Sequence, residues 1–117
     1  MQYDPNRPIW LQVMTELQTE IAIGKRLPGS KLPGGRDLAM SYAIHPNTAA
    51  RVYQELEKEG LCETRRGLGT FVTESEQRIA TLREDMACQA VQAFLDRMAV
   101  LGISPEQAAE MIRKQEE

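Results

Sequence analysis

Four arginines, Arg36, Arg51, Arg65 and Arg66, stand with Asn47 and Thr48 in a pattern that offers hydrogen-bond donors to an extended acceptor surface. A guanidinium can grip a phosphate, or the O6 and N7 of guanine, through two parallel hydrogen bonds. Arg51 lies in the early turns of a segment opened by His45-Pro46-Asn47-Thr48. Its alternative is a solvated helix arginine paired with Glu55. Asn47 and Thr48 suit either a phosphate or a simple helix cap. His45 either caps the same helix or approaches a phosphate. Arg36 falls in the first turn of a shorter helix, where its charge opposes the helix dipole, so stability alone does not favour it there. Arg65 and Arg66 lead into Gly67-Leu68-Gly69-Thr70, a hairpin tip suited to a minor groove or its backbone, solubility being the plainer reading. Leu68 suits no phosphate; it touches sugar edges or packs.

Other chemistry finds little support. Cys62 and Cys88 lack CxxC spacing and His45 is the sole histidine, so a zinc site would want for ligands. Nucleophile elbow, phosphate-cradling glycine loop and paired-carboxylate motif are all missing, so neither an enzyme nor a cofactor is expected. No apolar run approaches the length of a membrane span, and the start Met1-Gln2-Tyr3-Asp4-Pro5 is unlike a secretory signal. These features predict a cytoplasmic protein with reduced thiols and no membrane partner.

The elements that must position the donors follow from periodicity. A helix is predicted from near Pro8 to Ile23, with Ile9, Val13, Leu17 and Ile21 recurring every four residues and Trp10 and Met14 widening that face. Trp10 reads as core rather than as a ligand platform. Gly24 stops the helix; Pro28-Gly29 makes a reversal, after which Lys31-Leu32 can add a brief strand. A short helix over 34–41 faces Leu38 and Ala39 inward. The helix from Pro46 buries Ala49, Val52, Tyr53 and Leu56 and presents Asn47, Ala50, Arg51 and Gln54 on its opposite face, the one expected in a major groove. Gly60 closes it. Two strands, 61–66 and 70–72, form a ribbon too small to stand alone.

After Thr73 the pattern becomes a long helix over 75–101, striped by Ile79, Leu82, Met86, Ala90, Phe94, Met98 and Leu101. Ser104-Pro105-Glu106-Gln107 then starts a second helix with Ala108, Met111 and Ile112 inward. The fold class predicted is mainly α with a small β-wing: a winged helix-turn-helix over 1–73 and a two-helix dimerisation element over 74–117. With 117 residues and 42% apolar content, one modest core plus an appendage is all the chain can bury. Its net charge of −3 is unevenly spread: residues 1–73 hold nine basic against eight acidic side chains, the rest five against nine. Basic patches on an acidic body would orient a polyanion rather than attract it indiscriminately.

Pro8-Ile9-Trp10-Leu11-Gln12, Leu32-Pro33, Arg36-Asp37-Leu38-Ala39, Pro46 to Tyr53, Glu55 to Gly60 and Arg65 to Val72 together resemble the GntR superfamily of bacterial transcription regulators. The short tail resembles its YtrA-like branch. The resemblance implies a repressor that binds double-stranded DNA as a homodimer, on a two-fold related operator, with contacts from Arg36, Pro46 to Thr48, Arg51 and the wing from Arg65 to Thr70. Gly34 and His45 depart from the usual capping residues, so both helix starts are expected to be weakly capped. The 44 residues after Thr73 are too few to enclose a usual ligand pocket in one subunit, so any small-molecule effector would lodge between subunits. The apolar stripe of the tail calls for a second chain. The rival readings are a winged-helix protein-interaction module without DNA binding, and a sensor whose DNA affinity depends wholly on a metabolite.

Overall fold

Helix α1 spans Ile9–Ala22, entered from Pro8, whose missing N–H would be unpaired at a helix start. The computed structural model describes residues 1–116, and its contacts divide the chain into two units, Met1–Arg83 and Glu84–Glu117. In the first unit α1 is followed by α2 (Gly35–Tyr42), α3 (Pro46–Lys58), β1 (Cys62–Arg65) and β2 (Gly69–Val72). Helix α4 (Glu76–Val100) begins there and continues into the second unit, where α5 (Pro105–Glu116) follows. No helix among the described residues is long and apolar enough to cross a membrane.

The core of the first unit is built on α3, which packs against both α1 and α2. Val13, Leu17 and Ile21 from α1, Leu38 from α2, Val52 and Leu56 from α3, and Leu61 and Val72 around the wing are fully buried. Each such side chain contributes about 1.5–3 kcal/mol through removal of apolar surface from water. Ile9, expected in this stripe, is 45% exposed instead. It is the first residue of the helix, and helical side chains lean toward the N-terminus, which carries it past the end of the packed face. Gln12 is buried without being apolar: its side chain accepts from the Asp4 N–H and donates to the Asp4 and Arg7 carbonyls, fastening the N-terminal segment onto α1.

Ala43, between α2 and α3, has a left-handed backbone (φ 54°) unusual for a residue with a Cβ. The hydrogen bond from Ile44 N to the Ala39 carbonyl (2.9 Å) accompanies this sharp turn. Gly60 adopts φ 72° and turns the end of α3 into the wing, as its type predicts. The ribbon pairs Cys62 with Val72, Glu63 with Phe71, Thr64 with Thr70 and Arg65 with Gly69. The predicted third strand is reduced to one bridge, Lys31 to Phe71, supported by Leu32 N to the Thr70 carbonyl (2.8 Å).

In the second unit Ser104 and Gln107 form a reciprocal cap, each backbone N–H donating to the other's side chain. Ala108 is buried, but Met111 and Ile112 are exposed, contrary to the expectation that all three face inward. The small Ala permits close approach, whereas the two larger side chains lie on a face left open among the described residues. Phe94 and Leu101 are also exposed, and Ala93, Phe94, Arg97, Met98 and Leu101 line an open groove of about 430 Å³. Leu82, expected in the dimer contact, is only 4% exposed within the single chain, so little of it is left for a partner.

Candidate nucleic-acid interface

The exposed face of α3 is formed by Asn47, Ala50, Arg51 and Gln54, while Ala49, Val52, Tyr53 and Leu56 are buried beneath. This division follows the 3.6-residue period of the sequence. The helix is better capped than expected: His45 Nδ1 accepts from Asn47 N (3.0 Å), and the His45 carbonyl accepts from Thr48 N and Ala49 N. Histidine can act as a cap because its neutral ring keeps one lone pair. The first backbone N–H groups of α3 are therefore already satisfied within the chain, and what Asn47 offers outward is its side chain. Gly34, at the start of α2, makes no side-chain cap, as expected.

Arg51 neither pairs with Glu55 nor points freely into solvent. Its guanidinium lies over the Trp10 ring, 4.2 Å from the centroid, while Glu55 is held by Lys58 at 3.2 Å. Nothing in the spacing of residues 10 and 51 announces this contact; it follows from the packing of α1 against α3. Arg36 is exposed, and among the described residues it makes no ion pair.

The wing treats its two arginines differently. Strand alternation puts Glu63 and Arg65 on one face, with Phe71 across from Glu63 and Gly69 across from Arg65. With no side chain at Gly69, the Arg65 guanidinium lies over Phe71, 4.6 Å from the centroid, and pairs with Glu63 at 2.7 Å. Arg66, at the turn with Gly67 and Leu68, is exposed and in no ion pair among the described residues. Gly69 has φ 122°, and a Cβ there would meet Lys31 Cε at 2.7 Å. The stem of Lys31 thus runs beside Gly69, which brings one more basic residue of the first unit to the wing.

The acidic end of α3 is used structurally. Glu57 accepts from Thr64 N (3.0 Å), Glu59 from Gln18 Nε2 (2.9 Å), and the Glu59 carbonyl from Arg78 Nε (2.8 Å). Carboxylates are thereby committed to α1 and the wing at the C-terminal end of α3, leaving uncommitted donors at its N-terminal half.

A family profile described as "Bacterial regulatory proteins, gntR family" matches residues 10–72. The chain is 34% identical to the uncharacterized HTH-type transcriptional regulator YhcF of Bacillus subtilis, over 96% of this chain and 93% of that protein. It is 40% identical to the HTH-type transcriptional repressor YtrA of the same organism, over 64% of this chain and 59% of that one. A solved GntR family regulator from Listeria monocytogenes superposes with a TM-score of 0.88 and 36% identity, covering 96% of this chain and 98% of its own. The DNA-binding domain of AraR in complex with an operator superposes with a TM-score of 0.58 and 28% identity, over 62% and 93%.

Proposed function

Because this chain belongs to the gntR family of bacterial regulatory proteins, we propose that it is a transcriptional repressor that binds a two-fold related DNA site as a homodimer. The single observation that carries the reading is the exposed ridge of Asn47, Arg51 and Gln54 on α3, flanked by Arg36 and by a wing tip with Arg66 and Lys31 uncommitted. Side chains of this kind match the acceptor pattern of base edges in a major groove, and the flanking cations match the phosphates beside it. Regulators of this family bind DNA through a helix-turn-helix; the operator complex solved for AraR and the repressor role named for YtrA support the finer reading.

The homodimer is supported by the apolar surface of the second unit, where Phe94, Leu101, Met111 and Ile112 are exposed. An effector remains part of the proposal only as a small molecule held by that surface once paired.

Selection of bound duplexes from a random library, with the mass of the complex measured in parallel, tests the reading. The expected result is a palindromic consensus with half-sites about one helical turn apart, bound by two chains. A chain that stays single and enriches no sequence at low ionic strength would overturn it and favour the protein-interaction alternative.

A further inference from the structure

We propose that Trp10 is a positioning residue for Arg51, holding its guanidinium by one face so that its in-plane donors are presented to a base already aimed. This rests on the reading of α3 given above and adds a residue from α1 to it.

Four observations converge. The stack is close, 4.2 Å from guanidinium carbon to ring centroid, on the most favourable of the aromatic rings for a cation. Cation–π contact occupies only the face of the planar group, and among the described residues Arg51 donates no hydrogen bond and joins no ion pair, so its N–H edges are unspent. Glu55, the carboxylate one turn along, is engaged by Lys58. Trp10 itself is half-buried on a helix whose next residues, Val13 and Leu17, are locked in the core, so the ring is a fixed platform rather than a mobile cover. A long side chain held in this way surrenders less freedom on binding.

The experiment compares wild type, Trp10→Tyr, Trp10→Phe, Trp10→Leu, Arg51→Ala and the Trp10→Leu/Arg51→Ala double variant. Dissociation constants are measured on the duplex the wild type selects and on duplexes changed at the base pair where Arg51→Ala loses its preference. Preference at that pair should fall from Trp through Tyr and Phe to Leu, by about 2- to 5-fold in all, the range a solvent-accessible cation–π contact supports. Trp10→Leu should add nothing once Arg51 is replaced by alanine, and each Trp10 single variant should lose more affinity on the selected duplex than on random duplex. The graded aromatic series serves if Trp10→Leu folds poorly. Full preference retained in Trp10→Phe and Trp10→Leu, or equal loss on every sequence, overturns the inference while leaving the DNA reading intact. A wild type without preference for any duplex overturns both, and is recognised by Arg51→Ala then being silent as well.

Discussion

The Tyr53 hydroxyl donates a hydrogen bond to the Pro33 carbonyl oxygen, joining the buried face of α3 to the loop that leads into α2. Desolvation by burial raises the phenol's pKa well above its ordinary value, outweighing the lowering by Arg26, so it remains a proton donor through the neutral range. The angle between the two helices of the motif is thus fixed by a polar tie as well as by apolar packing. Tyr53→Phe removes the tie while keeping the ring, and should cost about 0.5–1.5 kcal/mol of unfolding free energy. Urea denaturation read by circular dichroism checks this; an unchanged midpoint would mean that the bond contributes nothing.

Arg51 and Arg66 should separate in binding assays. Arg51→Ala should lose about 1–3 kcal/mol on the preferred duplex and relax the choice at one base position. Arg66→Ala should weaken all sequences alike and lower the magnitude of the salt slope by about 1. Arg65→Ala should change that slope less, since Arg65 is already paired with Glu63 and stacked on Phe71. Titrations at several salt concentrations distinguish the three, and a base-specific loss from Arg66→Ala would contradict the assignment.

Much of this arrangement was legible in residue order. The period of α3, the glycine that ends it at Gly60, the capping pair Ser104 and Gln107 and the existence of a two-stranded wing all arise from local rules acting over a few residues. What could not be read depends on contacts between distant segments or on uncommon local choices. The Trp10–Arg51 stack joins two helices; the crossing of Lys31 over Gly69 joins a loop to a strand. Ala43 turns left-handed where glycine would be expected. The partition of the wing arginines needed the register before it could be seen.

The uncovered tail yields a prediction about assembly. Phe94→Asp places a charge in the groove formed with Met98 and Leu101 while leaving the first unit's core untouched. Sedimentation should show a shift from two chains toward one, with a loss of affinity for the two-fold site larger than for a half-site, because linked binding events reinforce each other. A Phe94→Asp variant that remains paired would move the interface elsewhere on the molecule.

The two thiols should react unequally. Burial, with a smaller contribution from Glu57, pushes the Cys62 thiol up to about 11, and its Sγ–H faces the Tyr53 carbonyl; Cys88 is exposed. At pH 8 a thiol-specific reagent should modify Cys88 promptly and Cys62 only as the fold opens, since thiolate is the reactive form. The raised value also means that the protonated thiol favours the folded state below pH 9, and that this contribution fades as pH rises toward 11. Rapid labelling of both in native protein would show that the first unit opens readily.

Trp10 is the chain's only tryptophan, and it lies directly under the arginine expected to meet a base. Its indole fluorescence therefore originates at one place, against the side chain proposed to meet a base when a duplex arrives. Excited beyond the tyrosine band, unlabelled protein can report occupancy of this face, with no dye, no tag and no second indole to subtract.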